Sequence, residues 1–597
     1  MTTMKKIINM VVIATSAIIL QCCSAEDPLS DNVSSTNYNY NNSSNTVTGS
    51  TSTGSSDLQS LSVTIDRQTA EPAATVAEYF PDGEDNLSNN SFTTEVTIDL
   101  SNPTAKTENG VTVTVSGGHV KADHGSVKSV CYQVSGTTEN GSLTIVGDKK
   151  YEVVLNSVSI TNPDSAALNL LSSKRAYVVL NGSSMLADGP TSQNDHKGTL
   201  YCKGKLLLNG TGSIEVYGHY NNAIHSADYI VTRPGMNIYA KSTANHGLKA
   251  NDGIYINGGI LNVEVTADGA KGINSESNIV VNGGRTTVVA TGGGVYEDSE
   301  AKGAAAIKCD STYTQNGGEV LLKATGNGGK GLKADWEAVV NGGTLTAMTT
   351  GGTYSYSRDT ASPKGIKIGT KNVHGRLDIN GGTVNVYAKG SEGIESKGTI
   401  DITGGTVSVA SSDDAVNSAS TFTISGGLVM GYSTGNDGLD ANGNMYVKGG
   451  TVYAICSGSP EVALDANTEG GYKLYVEGGN IVAVGGLENG AQLSQTCYQS
   501  SWSRNTWYAL YNGDNAVLAF QTPSNGGTAL VVSTPGTTSL TQGCSVSGGT
   551  SCFLGMGYTG STVSGGSTVS LSAYSGGSGM GPGGMGPAGM GGPGGWR

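Results

Sequence analysis

Acidic side chains recur at two fixed places in a repeated turn of this 597-residue chain. In each turn an apolar residue is followed directly by a polar one, and a second polar residue stands two positions before it. In the later repeats these positions and their neighbours supply oxygen donors: Glu392, Glu395, Asp413, Asp414, Asn417, Asp437 and Asp440. Stacked carboxylates repel one another by about 1 kcal/mol in water. Such a set favours a compensating cation. Ca²⁺, which takes several oxygen ligands in flexible geometry, is the expected ion, in unknown number. A solvated acidic edge is the alternative.

The same turn positions carry lysine in the earlier repeats. The candidate ligand-binding residues there are Lys271, Lys330, Lys333, Lys364 and Lys367, with Lys308 in the same pattern. Two interpretations stay open: each lysine pairs with an acid on the next coil, or together they form a basic stripe for a carboxylated polysaccharide. Lys364 and Lys367 also precede Glu392 and Glu395 by one repeat, which makes them candidate catalytic bases for a lyase.

Gly-Gly pairs mark the period of the repeat. They begin at Gly258, Gly283, Gly317, Gly342, Gly381, Gly404, Gly426, Gly449 and Gly478, and the shorter steps are 22 to 25 residues. Apolar residues alternate after each pair, as Val384, Val407, Val429 and Val452 show at one position. Coils of about 23–25 residues with three short strands are typical of a solenoid. The sequence therefore predicts an all-β fold, a right-handed parallel β-helix over residues 91–490.

Composition agrees with many short strands and tight turns. The chain has 90 glycines, 14% charged residues and a net charge of −14. The negative charge argues against nucleic acid as a partner, because phosphate binding needs a basic face.

The N-terminus resembles a lipoprotein leader. Two lysines precede the apolar run Ile7–Leu20, and Cys22 and Cys23 follow. We expect a signal peptide over residues 1–23 with lipidation of Cys23, or alternatively of Cys22. Ordinary cleavage without lipidation is the other possibility. Acids just after the cysteines resemble the signal for the outer face, so we expect an outer-membrane lipoprotein exposed at the cell surface. The membrane would then be contacted only through the lipid.

The remaining segments have distinct compositions. Residues 24–90 are assigned to a disordered tether and the opening strands. Residues 491–575 are assigned to a small β module that covers the C-terminal end of the β-helix, and its hairpin turns at Asn512, Gly513 and Asp514. Residues 576–597 form a Gly/Met/Pro-rich tail. Cys544 and Cys552 are the one plausible close pair of cysteines.

The turn strings KGIN, KGLKAD, KGIK, EGIES and NDGLDANG, together with the NGGT strands, resemble a family of clostridial and Bacteroidetes carbohydrate-binding proteins. Its fold is related to the pectate-lyase group of polysaccharide lyases, and the resemblance covers roughly residues 95–490. It implies binding of plant-cell-wall or acidic polysaccharide, with Ca²⁺ at the acidic turns.

Three functions remain open at this point. The first is a cell-surface protein that binds polysaccharide through a calcium-bearing face. The second is a lyase that acts on a uronate-containing glycan with a lysine base and calcium. The third is a structural adhesin or stalk. Fold and family resemblance favour binding over catalysis, although one fold can serve both.

Overall fold

The computed structural model describes residues 61–67 and 70–576, all within one compact unit, Thr46–Arg597. The predicted signal peptide, Cys22, Cys23, most of the tether before residue 61 and the tail after residue 576 lie outside the described residues. Within them, three ladders of strands wind into a β-helix, and the only helical elements are the 3-10 turns Gly83–Asp85, Leu87–Asn89 and Phe553–Gly555. The ladders are parallel except at the start of one, where Val111–Ser116 pairs antiparallel with Lys106–Glu108 and Gly118–Asp123.

The first ladder contains the strands that lead into each Gly-Gly pair, and we call it the pre-glycine ladder. Its strands are Thr94–Asp99, Val130–Thr138, Tyr151–Asn162, Arg175–Asn181, Lys205–Gly210, Tyr229–Thr232, Gly253–Ile256, Asn278–Val281, Thr312–Gln315, Glu337–Val340, Arg376–Ile379, Thr399–Ile402, Phe422–Ile424, Met445–Val447, Leu474–Val476 and Gln492–Leu493.

The second, or post-glycine, ladder follows each pair. It contains Ser183–Asp188, Ser213–Gly218, Asn237–Ser242, Ile260–Val265, Arg285–Ala290, Glu319–Ala324, Thr344–Thr349, Thr383–Ala388, Thr406–Ser411, Leu428–Ser433, Thr451–Ile455 and Asn480–Val484.

The third ladder holds the repeated turn and is called the turn ladder. It contains Lys106–Glu108, Val111–Ser116, Gly118–Asp123, Gly141–Val146, Leu168–Leu170, Gly198–Cys202, Asn222–Ser226, Leu248–Ala250, Lys271–Ser275, Ala305–Cys309, Lys330–Ala334, Lys364–Ile368, Ile394–Ser396, Val416–Ser418 and Leu439–Ala441. Two hairpins, Val295–Glu297 with Glu300–Lys302 and Tyr354–Tyr356 with Asp359–Ala361, are inserted before two of these strands.

The Gly-Gly pair is needed at each corner for two different reasons, which Gly283 and Gly284 illustrate. A Cβ on Gly283 would lie 2.7 Å from the carbonyl oxygen of Asn257 on the preceding coil. Gly284 has a φ of +75°, in the left-handed region that favours glycine. The corner thus requires both close approach and positive φ, so the dipeptide recurs.

The core confirms the predicted parallel β-helix. Val384, Val407, Val429 and Val452 pair in register on successive coils, and all four are fully buried. Their side chains point inward because alternate residues of a strand face the same side. The apolar residue of the turn forms a second inward ladder, from Ile224 through Leu439.

Residues 70–92, assigned above largely to the tether, lie against the pre-glycine ladder. The Glu78 carboxylate accepts two hydrogen bonds from Arg233, at 2.7 and 2.8 Å. The Tyr79 amide donates to the side chain of Asn257 at 2.8 Å, and Asp85 accepts hydrogen bonds from Arg175 and Tyr229. These contacts tie Glu78, Tyr79 and Asp85 to the β-helix.

The C-terminal module covers both the end and one side of the last coils. Leu530–Ser533 pairs antiparallel with the last post-glycine strand, Asn480–Val484, and with Cys497–Ser500. Ser572–Tyr574 extends this sheet. Tyr508 and Phe520 pack in one apolar cluster with Tyr453 on the side of the β-helix.

The remaining strands of the module form two small sheets. They are Trp507–Asn512, Asn515–Gln521, Thr538–Gln542, Ser545–Ser547, Thr550–Cys552, Gly557–Thr559, Thr562–Ser564 and Ser567–Thr568. Cys544 and Cys552 are buried free thiols, so the pairing considered above is not formed. Among the described residues no helix is long and apolar enough to cross a membrane.

Candidate functional site

The polar residue after each turn apolar residue forms one column along the turn ladder. The paired members are His225, Lys249, Asn274, Lys308, Lys333, Lys367, Glu395, Asn417 and Asp440. Lys271, Ala305, Lys330 and Lys364 pair in a neighbouring column. Each column is basic at first and becomes acidic after Lys364 and Lys367.

We call the strands Lys271–Ser275, Ala305–Cys309, Lys330–Ala334 and Lys364–Ile368, with their adjoining turns, the lysine coils. The strands Ile394–Ser396, Val416–Ser418 and Leu439–Ala441, with theirs, are the acidic coils.

Lysines of the first column mostly contact acids at the following corner of the coil. Lys308 and Lys333 share the carboxylate of Asp335, each at 3.3 Å. Lys308 also pairs with Asp310, and Lys249 pairs with Glu276 at 3.0 Å. One carboxylate thus serves two ammonium groups at the centre of the lysine coils.

Lys271 and Lys330 differ because no carboxylate among the described residues pairs with them. Each side chain turns back to a main-chain carbonyl, that of Gly269 for Lys271 and, at 2.5 Å, that of Gly328 for Lys330. Burial lowers the pKa of Lys271 to about 8, and it lowers the pKa of Lys330 as well. Neighbouring lysines act in the same direction. Protonation of either side chain therefore costs free energy in the folded chain.

The lysine and acidic coils meet in an ion-pair cluster. Lys364 pairs with Glu392 and lies 3.8 Å from Glu395. Lys367 and Lys397 reach Glu395 at 3.5 and 2.5 Å. Burial opposes ionisation of Glu395, but the attraction of the three lysines outweighs it and lowers the pKa of Glu395 to about 2. The pKa of Lys364 is raised by Glu395 and Glu392 despite burial.

Beyond this junction the buried acids have no cationic partner. Asp414, Asp437 and Asp440 are each more than nine-tenths buried, and none makes an ion pair among the described residues. Burial, followed by neighbouring carboxylates, raises their pKa values to about 7, 8 and 9 respectively. Amide groups donate hydrogen bonds to these carboxylates.

Those amide contacts tie successive acidic coils together. The Asn417 amide donates to Asp414 at 2.8 Å and to Asp440 at 2.9 Å. The amide of Asn436 donates to Asp413 at 3.0 Å, and burial raises the pKa of Asp413 as well. The main-chain amide of Val462 donates to Asp437 at 2.7 Å.

The acidic column continues past the predicted set. Asp440 is hydrogen-bonded to Asp465, and Asp465 to Glu488, whose pKa burial raises to about 7. Isolated bridges align Leu439, Leu464 and Leu487. Glu488 was missed in the sequence, although Gly486-Leu487-Glu488 repeats the glycine, apolar and acidic order of Gly438-Leu439-Asp440.

The predicted calcium ligands therefore divide into two groups. Glu392 and Glu395 do not fit a metal site, because lysine ammonium groups already neutralise them. Asp414, Asp437 and Asp440 fit by chemistry, as buried oxygen donors without cationic partners. In the described part of the chain, however, no three or more His, Cys, Asp or Glu side chains come together as a metal-binding group. Calcium stays a prediction.

An exposed indole borders the lysine coils. Trp336 follows Lys333 and Asp335 at the corner after the strand Lys330–Ala334, and it is 61% exposed. Single exposed apolar side chains are common on protein surfaces, so Trp336 matters here only for its position beside the lysine coils. It was missed in the sequence because it lies outside both repeated columns.

Parts of this chain are similar to known proteins. A solved structure described as the polysaccharide lyase-like protein from C. thermocellum, a gadolinium derivative, is 18% identical and covers 49% of this chain and 93% of its own, with a TM-score of 0.27. A search of curated proteins found none that matches. The model of the carbohydrate-binding domain-containing protein family matches residues 107–415, which is more than half of the chain and includes all the lysine coils. The chain belongs to the family of carbohydrate-binding domain-containing proteins.

Proposed function

We propose that the lysine coils bind a polysaccharide that carries carboxylates. The observation that carries this proposal is an excess of positive charge on one face of an acidic protein. Eight lysines lie on the turn ladder or at its adjoining corners, and two of them, Lys330 and Lys364, are buried; the eight are Lys249, Lys271, Lys308, Lys330, Lys333, Lys364, Lys367 and Lys397. Only five carboxylates pair with them: Glu276, Asp310, Asp335, Glu392 and Glu395.

The repeat favours a polymer over a small anion. Neighbouring strands lie about 4.8 Å apart, so the lysine positions recur along the ladder at an interval comparable to the length of one sugar residue. A uronate polysaccharide presents carboxylates with similar regularity. Membership of a carbohydrate-binding family supports the same class of ligand.

The state of Lys364 supports binding over lyase chemistry. A base that removes the α-proton of a uronate must be neutral in its resting state. Lys364 is held between Glu392 and Glu395, which raise its pKa and keep it protonated. Lys367 has a lowered pKa, but its ammonium also faces Glu395 at 3.5 Å. Lys364 is therefore assigned to charge and not to proton abstraction.

The test compares a uronate polysaccharide with its carboxyl-reduced form, by calorimetry with the full-length protein. Binding of the uronate form that weakens steeply with salt, with little binding of the reduced form, supports the proposal. Equal affinity for both forms would contradict it, and no binding to any glycan would favour the adhesin or stalk. Release of unsaturated products from the uronate polymer would favour the lyase.

A second proposal concerns the acidic coils, where we propose calcium. Asp414, Asp437 and Asp440 are buried on adjacent coils with no cationic side chain, so a divalent cation would remove their mutual repulsion. Asn417 would contribute its amide oxygen, in place of the lysine-bound Glu392 and Glu395. Calorimetry with CaCl₂ after chelator treatment tests this, and absence of binding at millimolar concentration would contradict it.

The cellular location is likewise a proposal, made on residues outside the described part of the chain. We propose anchoring at the outer membrane through lipidated Cys23, which would place the polysaccharide face in the medium. Replacing Cys22 and Cys23 together should move the protein from the membrane to the soluble fraction. Unchanged retention in the membrane fraction would rule out the anchor.

A further inference from the structure

The two inserted hairpins form a single projection. Val295–Lys302 and Tyr354–Ala361 interrupt different coils, yet the main-chain amide of Ala301 donates to the carboxylate of Asp359 at 2.6 Å. The rings of Tyr296 and Tyr356 stack with centroids 4.3 Å apart and an interplanar angle of 21°. Contacts between the hairpins are thus both polar and aromatic, and they hold two otherwise independent insertions together.

This projection stands beside the lysine coils. The strands Ala305–Cys309 and Lys364–Ile368 begin just after the hairpins end. Hairpin residues also pack on the turns to which the buried lysines bond. A Cβ on Gly269 would be 2.6 Å from the Val295 side chain, and one on Gly328 would be 3.1 Å from that of Tyr354. The charges of Glu297 and Lys302 act on Lys271.

The stacked rings remain largely in solvent. Tyr296 is 42% exposed and Tyr356 is 51% exposed. Paired aromatic rings usually gain stability by burying their faces, so an exposed stack at the tip of two insertions gives little to the fold. It does provide a rigid apolar surface at the edge of a charged face. Pyranose rings have an apolar face of C–H groups that packs on such surfaces.

We propose that Tyr296 and Tyr356 form a stacking subsite for a sugar ring of the polysaccharide bound on the lysine coils. The inference rests on the proposed function and refines it. The ligand would be a glycan whose pyranose rings expose an apolar C–H face while their carboxylates reach the lysines. Trp336, at the opposite end of the strand Lys330–Ala334, would border the same chain. The lysines supply charge, and the tyrosines supply contact area that salt does not screen.

The test uses the full-length protein with a uronate polysaccharide and with a neutral one. Because the hairpins hold each other, Tyr296→Leu with Tyr356→Leu keeps apolar contact between them but removes the rings. Tyr446→Leu with Tyr475→Leu is the matched control, since these rings also stack, at 4.8 Å, on the pre-glycine ladder. Far-UV circular dichroism and thermal unfolding of each variant confirm that it folds.

We expect the hairpin variant to bind uronate polysaccharide about tenfold more weakly. Its dependence on salt should match that of the wild type, and the control pair should bind normally. Tyr296→Phe with Tyr356→Phe should retain binding, because stacking needs the ring and not the hydroxyl. Unchanged affinity in the leucine variant would overturn the subsite and leave the lysine proposal intact.

The two proposals can fail separately. If the wild type binds only the neutral glycan, the charge proposal is wrong, and the leucine variant then tests the subsite on that glycan. If the phenylalanine variant loses as much affinity as the leucine variant, hydrogen bonding by the hydroxyls replaces stacking. If the wild type binds neither glycan, both proposals fall.

Discussion

The lysine coils and the acidic coils occupy the same positions of the same repeat, yet they handle charge in opposite ways. In the lysine coils, long side chains bend away from their column to reach acids or main-chain carbonyls, as Lys333 reaches Asp335 at 3.3 Å. In the acidic coils, the short side chains of Asp437 and Asp440 stay beside those of the next coil. Burial and neighbouring carboxylates, with no cation to offset them, raise the pKa values of these two aspartates to about 8 and 9.

The difference shows how side-chain length decides the outcome of a stacked repeat. A lysine ammonium lies at the end of four methylene groups, so it can reach partners outside its column. An aspartate carboxylate lies one methylene group from the main chain and cannot reach that far. In the lysine half, acids of the protein therefore neutralise part of the charge and an excess of ammonium groups remains, whereas the acidic half depends on protons or an external cation.

The junction between the halves should give the largest effect on stability. Lys364→Met removes the partner of Glu392 and one partner of Glu395, both nearly buried. Leaving a buried carboxylate, here that of Glu392, without its cationic partner costs about 3–5 kcal/mol. We expect hydrogen exchange of the strands Lys364–Ile368 and Ile394–Ser396 to accelerate, because a solenoid loses stability locally.

Lys397→Met is the control for that change. Lys397 contacts the same Glu395, but its side chain is 37% exposed, and exposed ion pairs contribute at most about 1 kcal/mol. Equal acceleration of exchange in the two variants would show that the junction does not hold the halves together.

Lys271 should produce a pH dependence in the lysine coils. Its pKa is about 8 in the folded chain, below its ordinary value of 10.5. Between pH 8 and pH 10.5 the unfolded chain therefore keeps a proton that the folded chain has lost. The free energy of unfolding should rise with pH across that window.

The matched variant isolates this contribution. Lys271→Gln should lack the rise, and its difference from the wild type should be on the order of 2 kcal/mol, allowing for partial exposure of the side chain. Denaturant unfolding at several pH values measures it. Parallel plots of unfolding free energy against pH for the two proteins would mean that Lys271 is solvated. The attraction of Glu297 would then offset the repulsion from Lys302, Lys308 and Lys333.

Asp440→Asn should have a smaller effect than Lys364→Met, and of opposite sign. With chelator present at pH 8, the folded wild type must keep a proton on Asp440 that the unfolded chain has lost. The variant avoids this cost and should be more stable by at least about 1 kcal/mol. Calcium should stabilise the wild type more than the variant, since an ion that binds only the folded chain raises its stability. Thermal unfolding with and without CaCl₂ measures both effects.

Asp401→Asn, on the pre-glycine ladder, is the control for Asp440→Asn and should change neither quantity. A variant of Asp440 that is less stable in chelator would show that the ionised carboxylate is already well accommodated. If calcium raises the thermal stability of the wild type and of Asp440→Asn equally, Asp440 is not a ligand of the proposed site.

The fold could be predicted from the sequence because two patterns hold phase through the insertions. The Gly-Gly pairs and the apolar turn residues each predict the position of one corner in every coil. Together they placed Val407 inside and Lys333 outside, as the structure confirms. Positions along a parallel ladder follow from counting, so the two charged columns were predictable as well.

Contacts between distant segments could not be predicted in this way. Whether Glu395 meets a metal or Lys397 depends on side-chain reach at a corner, which the repeat does not encode. The docking of Ala301 on Asp359, and of Glu78 on Arg233, joins segments with no shared pattern. One contact of this kind was predictable but was missed. Met430 and Val482 are apolar at outward positions, which indicates the side of the β-helix that the C-terminal module covers.

The central claim is that excess lysine charge on the turn ladder binds a carboxylated polysaccharide. The most direct measurement is the affinity for a uronate polysaccharide across ionic strength, for the wild type, Lys308→Gln with Lys333→Gln, and Lys241→Gln with Lys205→Gln. The control lysines pair with Glu264 and Asp228 away from the turn ladder. We predict weaker binding and a shallower salt dependence for the first variant only. Equal losses in both variants, or none in either, would contradict the account.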